Sequence, residues 1–237
     1  MRAIGPASAI YLIVLLVLAP AMGFRSARRF NAPPDSPGRR TIPPLATLYL
    51  NSLVMLATLL ALAWFTARTF AYEIFALPRL GAREILAGVA ALAFQFAMQV
   101  AGHAVRTPGE RRVMPVHRLM PQSARERALY SAASVAAGVA EEAAYRGVLT
   151  AILWYAFENA WVAAGVSALA FALGHAVQRW KSMAVIFVMA CSMQLLVWYT
   201  GTLVIAMAVH ALYDLLAPTV RRRILRVPPI GQERIAG

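Results

Sequence analysis

Six ionisable side chains stand in stretches of sequence that are otherwise apolar. They are Glu141, Glu142, Arg146, His175, His210 and Asp214. A carboxylate and an imidazole that reach the same water molecule can remove a proton from it, which is the chemistry of general-base hydrolysis. Because a charged group in an apolar segment is costly, we interpret the whole set as a candidate catalytic site.

Helical spacing assigns different roles to the two adjacent glutamates. Glu142 and Arg146 are four residues apart and therefore share one helix face, which predicts a structural ion pair. Glu141 points about 100° away from that face and has no partner nearby in the sequence. We therefore predict that Glu141 is a general base or acid and that His175 contacts the same water molecule.

His210 and Asp214 form a second pair with helical spacing. Hydrogen-bond donors at this position could stabilise an oxyanion that develops on a substrate carbonyl. Each feature also has a purely structural interpretation, namely a buried ion pair, an interfacial histidine and a hydrogen-bonded helix pair. Structural roles alone do not explain why all six residues fall in three segments of one small chain.

The composition is that of a membrane protein. Of the 237 residues, 60% are apolar and 14% are charged, and the mean hydropathy is +0.62. A soluble domain averages about 45–50% apolar and about 25% charged residues, so this balance excludes a disordered chain and argues against a soluble enzyme. The single cysteine, Cys191, can form no disulfide within the chain, and we expect it to be a small buried apolar residue.

Seven apolar segments approach the roughly 20 residues that a membrane-spanning helix needs. They cover approximately residues 7–24, 45–66, 85–102, 128–157, 160–177, 183–199 and 202–218. The sequence therefore predicts an all-α, polytopic transmembrane bundle of about seven helices. The first segment resembles a signal peptide in length, but its positive charges follow it instead of preceding it, so we expect a retained helix.

The net charge of +13 fits membrane topology better than nucleic-acid binding. Eighteen Arg and Lys residues fall in 25–44, 103–127, 178–182 and the tail after 218, against one in the N-terminus and three in 67–84. The positive-inside rule then predicts an outside N-terminus and a cytoplasmic C-terminus. We expect no nucleic-acid partner, because the Arg clusters lack interleaved aromatic residues.

Three motifs in the second half of the chain resemble those of the CPBP (Abi) family of intramembrane proteases, which includes the CAAX prenyl endopeptidases. Glu141-Glu-Ala-Ala-Tyr-Arg146 resembles its EExxxR motif and Phe171-Ala-Leu-Gly-His175 its FxxxH motif. His210-Ala-Leu-Tyr-Asp214 resembles its HxxxN or HxxxD motif. The resemblance divides the chain into N-terminal membrane helices and loops over 1–122, a protease core over 123–218 and a basic cytoplasmic tail over 219–237.

The resemblance implies a role for each motif residue. Glu141 would activate the attacking water with help from His175, and His210 with Asp214 would form the oxyanion site. The second glutamate and the arginine of the first motif would support the helix. Because an ionised carboxylate cannot donate a hydrogen bond, Asp214 must either be protonated or instead orient His210.

The chain lacks the helical HExxH zinc signature. The resemblance implies that a glutamate and a histidine act on water without a metal, so we expect no metal ion. Glu141, His175 and His210 could in principle supply three ligands to a divalent metal such as zinc, so a metalloprotease stays an alternative. The remaining expected partners are a peptide or membrane-protein substrate and the lipid bilayer.

The candidate site and the resemblance together predict an intramembrane endopeptidase. The Arg- and Ala-rich composition is typical of bacteria, so we expect a bacterial inner membrane and no prenylated substrate. Two alternatives stay open. One is a non-catalytic immunity or scaffold protein on the same fold, although a scaffold needs no carboxylate pair beside two histidines. The other is a proton or ion transporter, although the repeated halves typical of many transporters are not visible here.

Overall fold

The computed structural model describes residues 5–32, 43–77, 81–112 and 114–225. Within these ranges the chain is helical and contains no strand, so the predicted all-α polytopic bundle is confirmed. Parts of the predicted basic linker and tail, residues 33–42 and 226–237, lie outside the described residues.

Long helices occupy all seven predicted apolar segments. They are α1 Pro6–Phe30, α2 Leu45–Arg68, α3 Ala82–Ala104, α4 over residues 124–157, α5 Ala160–Gly174, α6 Trp180–Thr200 and α7 Leu203–Arg223. A short helix, Pro108–Arg112, and a 3-10 turn, Pro115–Leu119, lie between α3 and α4.

Five of these helices, α1, α2, α3, α6 and α7, are long and apolar enough to cross a membrane. The chain is therefore a membrane protein. Helix α5 has only 15 residues, which corresponds to about 22 Å at the α-helical rise. The number of crossings and their sidedness stay predictions.

Helix α4 begins at a capping box. The Glu126 amide donates to Ser123 Oγ at 3.2 Å, and the Ser123 amide donates to Glu126 Oε2 at 3.1 Å. These two bonds satisfy amide groups that a helix N-terminus leaves without partners. They place the start of α4 seventeen residues before Glu141.

Helix α7 continues through Pro218 to Arg223, beyond the predicted end at residue 218. Proline lacks the N–H that would bond the carbonyl of Asp214, four residues earlier. The Tyr130 hydroxyl of α4 donates to that carbonyl at 2.8 Å and replaces the missing partner. A donor from another helix thus lets α7 run past its proline.

Close contact between α4 and α7 brings two of the motifs together. A Cβ atom at Gly138 would lie 2.7 Å from the Ala211 amide nitrogen and 2.8 Å from the Met207 carbonyl oxygen. Only glycine fits at such a distance, which lets the helix backbones touch. This contact is within one turn of Glu141 on α4 and of His210 on α7.

Helix α1 packs against the end of α5 in the same manner. A Cβ atom at Gly23 would lie 2.6 Å from the carbonyl oxygen of Gly174, the last residue of α5.

The prediction for Cys191 was only partly right, because its side chain is half-buried and packs against the edge of the apolar core.

Candidate active site

Helix α4 widens into a π-helical segment over Glu142–Leu149, and all eight residues of it are buried. The wider turn changes the backbone hydrogen bonding, and hydroxyl groups of other helices bond to its carbonyls. Tyr11 of α1 donates to the Ala144 carbonyl at 3.0 Å, and Ser167 of α5 donates to the Tyr145 carbonyl at 2.7 Å. Two other helices therefore fix the segment that carries the second glutamate and the arginine of the first motif.

Glu142 is fully buried and contacts two cationic side chains through one oxygen atom. Its Oε1 lies 3.2 Å from Arg146 Nη1, which is the ion pair predicted from helical spacing. The same Oε1 lies 2.7 Å from His210 Nδ1. Because a carboxylate can only accept, Nδ1 carries the hydrogen and donates it to Glu142.

The second ring nitrogen of His210 faces the other two carboxylates. Nε2 lies 3.8 Å from Glu141 Oε2 and 3.6 Å from Asp214 Oδ2. Both distances are longer than a hydrogen bond, so these are electrostatic contacts. The side chains of Glu141 and His210 are 16% and 14% exposed, against 0% for Glu142. A water or substrate molecule can therefore contact Glu141 and His210 but not Glu142.

His175 follows the last residue of α5 and is oriented by its own motif. Its Nδ1 donates to the Phe171 carbonyl at 2.8 Å, which leaves Nε2 without a hydrogen bond to the described residues. The His175 ring packs 4.6 Å from the Phe171 ring, centre to centre. The Arg146 guanidinium lies 4.2 Å from the centre of the same ring. Phe171 therefore positions a residue of each of two motifs.

One cavity of about 500 Å³ joins these side chains. All six residues that the sequence singled out line it: Glu141, Glu142, Arg146, His175, His210 and Asp214. Much of the remaining wall is apolar and includes Leu48, Met55, Leu56, Ile186, Met189 and Met193. A volume of this size is typical of a ligand-binding site.

The carboxylates and imidazoles therefore meet at one apolar cavity, and they come from α4, from α7 and from the residue that follows α5. Residues 124–216 match the family model for Rce1-like proteins, described as type II CAAX prenyl endopeptidase Rce1-like. Over these residues the chain is related to the Rce1-like CAAX endopeptidases. No curated protein and no solved structure matches it. Helices α1 to α3 lie outside the Rce1-like match. The predicted division of the chain into three parts, after residues 122 and 218, stays a prediction.

The relation to the Rce1-like endopeptidases suggests a CAAX-type intramembrane protease, but it assigns no role to an individual residue. Two contacts of the site were not predicted. One is the hydrogen bond between Glu142 and His210, for which local sequence gives no signal because the residues lie on different helices. The other is Gln95 of α3, which lines the cavity from outside the matched segment. Its only signal was an amide side chain in an apolar helix.

The alternative metal site would use Glu141, His175 and His210 as ligands. Among residues 5–32, 43–77, 81–112 and 114–225, no three His, Cys, Asp or Glu side chains are grouped as a metal ion requires. His210 donates through Nδ1 to Glu142, which leaves Nε2 free, and a histidine that binds a metal has the same arrangement. The metal alternative therefore stays a prediction.

Proposed function

We propose that the chain is an intramembrane endopeptidase that hydrolyses a peptide bond with a water molecule activated by Glu141 and His175. The observation that carries the proposal is the single cavity that both residues line together with His210 and Asp214. The relation to the Rce1-like endopeptidases supports a protease.

Glu141 is the carboxylate best suited to act as the base. It makes no hydrogen bond to the described residues and is partly exposed in the cavity, whereas Glu142 is buried between two cations. In the proposed step the Glu141 carboxylate takes a proton from water, and His175 Nε2 orients that water. The hydroxide attacks the carbonyl carbon, and the proton passes to the amine that leaves when the C–N bond breaks.

His210 is placed to stabilise the oxyanion. Because Nδ1 already donates to Glu142, the ring can donate to an oxyanion only through a protonated Nε2. Glu142 is therefore a positioning residue, since it holds the ring so that Nε2 faces Glu141 and Asp214. Of the two roles considered for Asp214, orientation of His210 agrees with the 3.6 Å distance between Oδ2 and Nε2.

A pool of membrane peptides from the source organism tests the proposal. The purified protein should generate new peptide termini that mass spectrometry detects, and the Glu141→Gln variant should not. If the wild-type protein binds peptides without cutting them, a scaffold or immunity role replaces the protease. Proton uptake by vesicles that contain the protein, without peptide cleavage, would support a transporter.

Metal removal should leave the activity unchanged, because the proposed step uses side chains alone. We expect less than a twofold change in cleavage rate after dialysis against EDTA, measured on a peptide found in the pool. Loss of activity on dialysis with recovery on adding zinc would contradict this prediction and restore the metalloprotease alternative.

We also propose that the basic segments face the cytoplasm. Side-chain contacts join the four predicted cytoplasmic segments at one end of the bundle. They are the Arg118 guanidinium to the centre of the Phe30 ring at 5.9 Å, Lys181 Nζ to Glu110 Oε2 at 2.9 Å and Arg222 Nη2 to Pro121 O at 2.9 Å. This grouping agrees with the positive-inside rule.

Reporter proteins fused after Gly237 test the sidedness in a bacterial host. A fluorescent protein should be bright and alkaline phosphatase should be inactive, because both would lie in the cytoplasm. Active phosphatase with a dark fluorescent protein would reverse the topology.

A further inference from the structure

Gln95 of α3 is held in one orientation by α6. Its Nε2 lies 3.3 Å from the Met189 carbonyl oxygen and 3.0 Å from Ser192 Oγ. Ser192 Oγ itself donates to the Met189 carbonyl at 2.8 Å, so it must accept from Gln95. These two contacts use both amide hydrogens and settle which end of the amide faces α6.

The carbonyl end of Gln95 remains without a partner. The side chain is only 3% exposed, and Oε1 accepts no hydrogen bond from the described residues. Gln95 lines the cavity, and its Oε1 is not among the buried atoms closed off from solvent. Oε1 is therefore an acceptor of fixed orientation on a residue that lines the cavity.

Gln99 provides the contrast, one turn further along α3. It is 6% exposed, and its Nε2 donates to the Ala217 carbonyl at 3.4 Å. Its Oε1 also has no partner, but that atom is closed off, and Gln99 does not line the cavity. The two amides thus differ in access to the cavity.

A fixed acceptor in an apolar wall matches a backbone N–H group. A peptide that enters the cavity loses the water bonded to its amide groups, and an unpaired N–H in such surroundings is costly. We infer that Gln95 Oε1 accepts a hydrogen bond from one backbone N–H of the substrate and so helps select the bond placed opposite Glu141. This inference rests on the proposed protease function, and it assigns a substrate-binding role to a helix outside the Rce1-like match.

The test combines a variant with altered substrates. In a peptide that the wild-type protein cleaves, each backbone N–H near the cleaved bond, except the one in that bond, is replaced in turn by an ester oxygen. One replacement should lower kcat/KM of the wild-type protein about tenfold, the size expected for one hydrogen bond. Gln95→Met should lower kcat/KM for the unaltered peptide by a similar factor, mainly through KM. This variant should cleave that ester and the unaltered peptide with the same kcat/KM.

Gln99→Met is the matched control, because it makes the same change on the same helix away from the cavity. Gln99→Met should show the same fall in kcat/KM between the unaltered peptide and the ester as the wild-type protein does, which we call the ester effect. This holds whatever the substitution does to thermal stability. If Gln95→Met does not fold, Ser192→Ala loosens the amide instead and should weaken the ester effect.

Two failures are distinguishable. In the first, the wild-type protein cleaves peptides, and the ester effect is as large in Gln95→Met and Ser192→Ala as in the wild-type protein. That result overturns the inference and leaves the proposed protease function standing. If the wild-type protein cleaves no peptide, the proposed function fails and this inference fails with it.

Discussion

Replacement of Glu141 by glutamine should abolish detectable peptide cleavage while the protein still folds. Glutamine keeps the shape of the side chain but cannot take a proton from water, and loss of a general base typically lowers a rate by about 10²–10⁴. Folding should survive, because Glu141 makes no hydrogen bond to the described residues and its contact with His210 is 3.8 Å long. Initial rates on a peptide from the pool, together with a thermal unfolding curve, measure both effects.

The matched control is Glu73→Gln, the same chemical change at an exposed residue between α2 and α3. It should leave the cleavage rate unchanged. Full activity in Glu141→Gln would remove Glu141 from the mechanism.

His175→Ala should match the loss seen in Glu141→Gln. The double variant should be no slower than either single variant, because two residues that act on one water molecule are not additive. If the two losses multiply, Glu141 and His175 act in separate steps.

Arg146→Ala should lower the free energy of unfolding by roughly 3–5 kcal/mol, the usual cost of breaking a buried ion pair. The change removes one of the two cationic partners of fully buried Glu142 and the guanidinium beside the Phe171 ring. Denaturant or thermal unfolding in detergent micelles measures the loss. Arg125→Ala, at an exposed position on the same helix, should change stability by less than about 0.5 kcal/mol.

A double variant separates the two halves of this pair. Replacing Glu142 by Gln together with Arg146 by Met should recover part of the stability, because no unpaired buried charge remains. Cleavage should stay low, since His210 would lose the carboxylate that positions it. If Arg146→Ala is fully stable but inactive, Arg146 belongs with the catalytic residues instead.

The positions of the seven helices could be predicted from the sequence because each corresponds to one apolar segment. The end of α7 could not. A proline normally signals the end of a helix, but Tyr130 of α4 donates to the carbonyl that Pro218 leaves unbonded. Such a replacement depends on a neighbouring helix, which a single segment does not reveal.

The contacts inside the site likewise include one that the sequence predicts, within a helix, and others between helices that it does not. The Glu142–Arg146 ion pair follows from helical spacing and was confirmed. The His210–Glu142 hydrogen bond spans two helices and depends on how closely they approach at Gly138. Likewise, Tyr11 of α1 and Ser167 of α5 donate to carbonyls of the π-helical segment, and the motif itself gives no signal for these contacts.

Cleavage in water labelled with heavy oxygen tests the activation of water by Glu141 most directly. The wild-type protein, reconstituted in lipid vesicles, is given one peptide from the pool for a single turnover, beside Glu141→Gln. The mechanism predicts one heavy oxygen in the newly formed carboxyl group with the wild-type protein and no labelled product with the variant. Equal cleavage by both proteins would contradict it. So would an unlabelled wild-type product, which arises in one turnover when a carboxylate side chain attacks the peptide and water then hydrolyses the anhydride at the carbon of that side chain.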